Sequence, residues 1–447
     1  MPHIMEPCGA GVKIIRIDRA SAQEWMTTIQ DDGIPRKKFS LPAEIDGQKV
    51  VALGKDAFRS LDADVAIIHI PRWTDAIDRE TFAESECLPA LRAIEVDKEN
   101  QSYMSDKGVL FDKAQKTLIR YPQVKPGNAY KIPDGVETVR RHAFRYCEGE
   151  LKRIEVPASC TNIENWAFRN CYSLQEINID SGNPQYQSID GVFFRRVNKT
   201  FFKSVVGTFF GEIVNGAVES QSQDRPLILR HYPLGKETKE YEIPKNVVEI
   251  EEWAFNWRGP SVVTVPRTVK RIGNHAFWSC PNLSKVTISE GVELLESSVF
   301  ARCRELETIE IPGTIKSIGK KAFFQCVKLE NATLGEGVKK IGKFAFAGCA
   351  ALETMTIPAS VEKIGAAAFA KCAALRDVAI PEGVRKIGSL AFAWCDSLRV
   401  VNVPRSVQKI GEEAFAPAEN VRLRVYEDSY AHRWAEFYEY PFTIIEE

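Results

Sequence analysis

Phenylalanine recurs with a period that few folds can accommodate. Phe277, Phe300, Phe323, Phe346, Phe369, Phe392 and Phe415 fall 23 residues apart without a slip. Each follows Ala or Val, and each except the last precedes a Cys by three positions. The same anchor returns at Phe58, Phe82, Phe144, Phe168 and Phe255 with irregular spacing, as insertions between copies would produce. A unit this short cannot bury its own apolar set, so copies must stack along one axis and the ends must be capped. Length agrees, because 447 residues exceed what a single compact core usually organises.

Each position in the unit has a physical reason. In Leu306-Glu307-Thr308-Ile309-Glu310-Ile311, the two β-branched residues lie two apart and face inward from a short strand, with Thr308 and Glu310 facing out. Pro312 ends the strand because it has no N–H to give, and Gly319 permits a tight turn. Ala322, Phe323 and Cys326 then read as the inward stripe of one or two helical turns.

Two insertions interrupt the early copies. One runs from Asn100-Gln101-Ser102-Tyr103 to Tyr121-Pro122; its counterpart starts at Asn183-Pro184-Gln185-Tyr186 and returns at Leu229 to Pro233. Both read as hairpin-like elaborations of a coil. The second carries the paired aromatics Phe193-Phe194, Phe201-Phe202 and Phe209-Phe210 and a polar stretch from Ser220 to Arg225. Paired Phe is the pattern of core strands, while a long polar loop on a rigid scaffold is a place for contacts.

The run Ile-Pro-x-x-Val-x-x-Ile-Gly-x-x-Ala-Phe-x-x-Cys at Ile357–Cys372, with its near copy at Ile380–Cys395, resembles the BspA-like leucine-rich repeats of the Treponema pallidum type. The resemblance covers roughly Leu41 to Phe415. The Asn-x-x-Tyr, Asp-Gly-Val and Tyr-Pro insert is similar to an elaboration common in that family, and Asp428-Ser429-Tyr430-Ala431 to Trp434-Ala435 is similar to its C-terminal cap. It implies an α/β repeat solenoid: a right-handed leucine-rich-repeat superhelix of short parallel strands and short helical turns with capped ends. The expected organisation is an N-terminal cap over 1–40, degenerate repeats over 41–178 with a hairpin insert near 97–130, and a long insert over 179–240. Regular repeats over 241–416 and a C-terminal cap over 417–447 follow. The resemblance further implies a bacterial protein, often secreted or surface-displayed, that binds proteins of a host or neighbouring cell and has no catalytic residues.

Binding chemistry has two candidate positions. Outward strand residues Lys285, Thr287, Thr308, Glu310, Asn331, Thr333, Thr354, Thr356, Asp377 and Asn402 would line a flat polar face about 30 Å long at the usual interstrand spacing. That face suits a protein or glycan; the plainer reading is that Thr simply forms good strands. A basic ladder precedes the conserved Ile at Arg271, Lys340, Lys363, Lys386 and Lys409, with Lys316, Lys339 and Arg385 beside it. Cations at strand spacing could match an anionic polymer, although Glu336, Glu362 and Glu382 lie close in sequence and solvated Lys also keeps an edge soluble.

Other chemistries find little support. Lys plus Arg (59) cancel Asp plus Glu (60), so the chain has no polycationic signature of a nucleic-acid binder. Cys147, Cys171, Cys280, Cys303, Cys326, Cys349, Cys372 and Cys395 share one repeat slot and read as small buried groups; no Cys-x-x-Cys occurs, and no metal or cofactor is expected. The histidines are scattered, and Gly337 to Lys343 mimics a phosphate loop except that Phe344 stands where Ser or Thr would hold the metal. No run approaches the roughly 18 apolar residues that cross a bilayer. The start Met1-Pro2-His3-Ile4 lacks the blocks of a signal peptide. The expectation is a non-enzymatic protein that holds a protein or glycan partner on its repeat surface, at the cell surface as the family suggests. A cytoplasmic scaffold subunit is the alternative.

Overall fold

The computed structural model describes residues 3–31, 33–82, 88–147, 149–197, 225–255, 257–417 and 421–446. They form two compact units, one of residues 1–193 with 233–236 and one of 194–232 with 237–447. Much of the second insertion, including Phe201-Phe202, Phe209-Phe210 and Ser220 to Asp224, lies outside the described residues.

The first unit begins with two antiparallel hairpins, His3–Cys8 with Gly11–Ile17 and Met26–Asp31 with Ile34–Ser40. Helix α1 (Arg19–Glu24) lies between them, its N-terminus capped by Asp18, whose carboxylate accepts from the N–H groups of Ala20 and Ser21. The second strand of each hairpin starts a parallel ladder: Gly11–Ile17 pairs with Gln48–Leu53, and Ile34–Ser40 with Val65–Ile70. A hairpin offers one finished edge and one edge for growth, which is what the end of a stack requires.

Two Asn-x-x-Tyr segments in this unit act as matching staples. Asn100 Nδ2 donates to the carbonyls of Pro71 and Thr74, its Oδ1 accepts from Ser102 and Tyr103 N–H, and the Tyr103 hydroxyl accepts from Ile77 N–H. Asn183 and Tyr186 repeat the arrangement on Pro157, Cys160 and Ile163. Both amides are buried, and these bonds satisfy turn carbonyls that no strand reaches.

In the second unit the regular coils stack through three parallel ladders. The first stacks the longer strands from Glu240–Glu242 through Lys285–Ile288, Thr308–Ile311 and Asn331–Leu334 to Arg422–Tyr426 and Phe442–Ile445. The second stacks short strands, among them Arg271–Ile272, Leu294–Leu295, Ser317–Ile318, Lys340–Ile341, Lys363–Ile364, Lys386–Ile387 and Lys409–Ile410. Between the ladders run the Phe anchors, stacked face to face at 5.0–5.6 Å from Phe277 to Phe415 with interplanar angles of 17° or less. Helix α2 (Tyr430–Phe437) closes the stack. Ser429 caps its N-terminus, and Trp434 lies edge-on to Phe415 at 6.0 Å.

The third ladder corrects the expectation of helical turns. Ala322, Phe323 and Cys326 are buried as their spacing implies, but their backbone is not helical. The N–H groups of Lys321, Phe323 and Gln325 donate to Lys343, Ala345 and Ala347 of the next coil, while those of Ala322, Phe324 and Cys326 close four-residue turns by donating three residues back. This alternation requires Lys321 and Gln325 to be left-handed, at φ 57° and 58°, and the equivalent residues of the neighbouring coils are left-handed too. A helix would bond every N–H within the segment and leave the coils unjoined there. Helix among the described residues is confined to α1 and α2, so the α/β label gives way to a parallel β-solenoid. Gly319 also acts differently from the expectation. Its φ is not left-handed; a Cβ there would overlap the Glu296 carbonyl of the preceding coil, so the glycine permits close stacking.

Candidate functional site

The strand face is assembled by register. Lys285, Thr308, Asn331, Thr354 and Asp377 are successive Cα partners across five neighbouring strands. A parallel column holds Glu310, Thr333 and Thr356, with Thr287 and Asn402 at the same repeat position in other strands. All are exposed except Asn402, which is half-buried. Their inward neighbours Val286, Ile309, Ala332, Met355 and Val378 are at most 5% exposed, so the face is held flat by the packing beneath it. It carries short hydroxyl, amide and carboxylate groups.

The basic ladder divides into two parts. Lys340, Lys363, Lys386 and Lys409 are Cα partners in consecutive short strands, so four ammonium-bearing side chains stack at one position. Arg271 shares their column but not their run, because Leu294 and Ser317 occupy the intervening coils. It is also neutralised. Its guanidinium bonds Glu249 from one neighbouring coil and Glu296 from the other, the latter at 2.9 Å. Two carboxylates that sequence places near the lysines are engaged elsewhere: Glu362 faces Lys339 at 3.6 Å, and Glu382 accepts from Ser406 N–H. Among the described residues no ion pair involves the four lysines.

In the second insertion, Phe193 and Phe194 are buried and belong to cores. The cysteine slot is buried with free thiols, and among the described residues no cluster of His, Cys, Asp and Glu could hold a metal. Burial pushes the thiols of Cys280, Cys326 and Cys372 up, with the adjacent coils' thiols adding to the effect. No helix among the described residues is long and apolar enough to cross a membrane.

Sequence reasoning missed an aromatic patch on the turn ladder of the second unit. Trp253 stacks on His275 at 4.2 Å and 4°, Trp278 meets Trp253 edge-on at 5.6 Å and Trp257 at 4.8 Å, and the Arg302 guanidinium lies 5.6 Å from the Trp278 ring. The available signal was Trp253, Trp257 and His275 at left-handed positions flanking Ala-Phe, with Trp278 directly after the Phe of its coil.

Comparison with known proteins supports the repeat. A family model described as the BspA type leucine rich repeat region matches in six copies over residues 126–205, 235–334 and 293–422. No curated protein matches. Among solved structures, the chain is similar to a leucine-rich repeat protein from Eubacterium ventriosum, at 18% identity and TM-score 0.53, over 90% of this chain and 94% of that one. Weaker likenesses are a leucine rich cell surface protein from Faecalibacterium prausnitzii (19%, TM-score 0.40, 89% and 94% covered) and the pneumococcal vaccine antigen PcpA (15%, TM-score 0.44, 100% and 97% covered). The first of these bears on the fold, and none of the three bears on function.

Proposed function

The chain belongs to the BspA-type leucine-rich repeat family, and from that premise we propose that it is a non-enzymatic protein holding a macromolecular partner on its strand face at a bacterial cell surface. The observation that carries this reading is the in-register pair of exposed columns, Lys285 to Asp377 and Glu310 to Thr356. Short polar side chains on a rigid sheet lose little conformational entropy when covered, and they present donors and acceptors at fixed spacing. A protein edge or a glycan of several residues fits such a surface. The surface setting rests on the family resemblance.

The test is capture of partners from extracellular and host-cell extracts with the intact protein, beside a Thr333→Arg/Thr356→Arg variant. Two long cations at the centre of the face leave the buried column untouched, so the variant should stay folded, with its stability lowered only by one opposed like-charge pair, roughly 1 kcal/mol or less. The reading expects a partner captured by the wild type and reduced about tenfold or more by the variant, the cost of disrupting a central contact. Equal capture by both proteins would remove the strand face from the account. Protease accessibility of the protein on intact native cells tests the placement, and full protection there would contradict it.

A further inference from the structure

We propose that the strip formed by Lys340, Lys363, Lys386 and Lys409 docks a linear acidic polysaccharide carrying one sulfate or carboxylate per sugar. This surface belongs to the short-strand ladder, a different sheet from the strand face, so the two readings fail separately.

The case begins with a charge arrangement that folding does not favour. Like charges directly opposite on neighbouring strands are destabilising, and here four stand in consecutive register. The same column shows the arrangement that stability alone would select: Arg271 sits between Glu249 and Glu296. Coils 340 to 409 abandon that pattern. Further cations precede the strip's column at Lys316, Lys339 and Arg385, with Glu362 committed to Lys339.

Spacing selects the ligand. Adjacent strands set the lysine Cα atoms ~4.8 Å apart, so the strip spans about 14 Å. An extended pyranose residue advances a polymer by a comparable distance, which lets one acidic group per sugar meet one lysine per coil. A nucleic acid fits less well. Single-strand binders interleave cations with exposed aromatic platforms for the bases, whereas the positions beside these lysines are Lys339, Glu362, Arg385 and Gln408 on one side and buried Ile on the other.

The experiment measures binding of the full chain to heparin, polygalacturonate, single-stranded DNA and neutral dextran across a salt series. The ladder variant is Lys340→Gln/Lys363→Gln/Lys386→Gln/Lys409→Gln; the control, Arg304→Gln/Lys328→Gln/Arg376→Gln/Arg399→Gln, removes the same charge from exposed positions off the strip. The wild type should bind heparin or polygalacturonate and not dextran. The ladder variant should bind about tenfold or more weakly, with the slope of log K against log salt reduced by about three, four contacts at ~0.7 each. The control should stay within about twofold, on the same electrostatic argument. Removing the stacked charges should also leave the melting temperature unchanged or higher. Three results would each overturn the proposal: no binding to either acidic polysaccharide at low salt, equal loss in the control, or DNA bound as tightly as the saccharides. A fall in melting temperature would overturn it too, by making the lysines structural.

Discussion

Inside a coil, one side chain often has two tasks. Seven cysteines of the repeat slot fill a small buried volume and also donate: each thiol lies 2.8–3.3 Å from the carbonyl of the Phe one coil earlier. Alanine would fill most of the space and forfeit this bond to carbonyls that, in six of the seven cases, also accept the Cys N–H of their own coil. His142 is the counterpart in the first unit. It is 4% exposed, and burial followed by the charges of Arg145, Arg141, Arg120 and Arg169 holds its pKa down at about 3. Glu80 lies 3.5 Å away and would favour the charged ring, but His142 Nε2 accepts from Arg141 Nε at 3.1 Å, a bond only the neutral ring can make. The folded pKa therefore lies below the unfolded value, and folding excludes a proton. The stability this confers is complete above pH ~6.5 and is lost as pH falls toward 3. Denaturant unfolding should show a loss of roughly 3 kcal/mol attributable to His142 between pH 7 and pH 4. His142→Gln should flatten that dependence, and an unchanged pH profile in the variant would contradict the assignment.

At the scale of the element, what distinguishes this fold is the turn ladder, and it can be tested against a helix by sign. Lys371 is exposed and left-handed at φ 62°, and the preceding coil already carries Gly348 at the same position. Lys371→Gly should stabilise by up to ~1 kcal/mol, because glycine relieves the left-handed cost. In a helical segment the same change would destabilise by about 1 kcal/mol, so thermal unfolding of one variant separates the two backbones. This element also marks the limit of what sequence conveyed. Ile309, Ile311, Phe323 and Cys326 were legible because each packs against its own equivalent one repeat away, which turns a three-dimensional contact into a period. The handedness at Lys321 and Gln325 was not. Apolar spacing at i, i+1 and i+4 fits a helix and this turn equally, and the choice is made by carbonyls a full coil away. The pairing of Arg271 was hidden for a similar reason, since its partners Glu249 and Glu296 are 22 and 25 residues distant.

For the whole molecule, the period explains both the architecture and the available chemistry. Inward positions are occupied by stacked Phe, Ile and Cys, so variation among coils is concentrated on the outward ones: a polar strand face, a lysine strip and an aromatic patch in the second unit. The strand face was readable in sequence because strand residues alternate, whereas its function depends on a partner whose chemistry leaves no mark on one chain. The central claim is that recognition occurs on the array through the columns around Thr333 and Thr356. The most direct measurement places a photo-crosslinking residue singly at Thr333, at Thr356, at Lys386 and at Arg302, then exposes the intact protein to extracellular and host-cell extracts and maps the adducts. The account predicts a shared macromolecular adduct from Thr333 and Thr356 that Arg302 does not form. Adducts arising from Arg302 alone, or equally from all four positions, would contradict it.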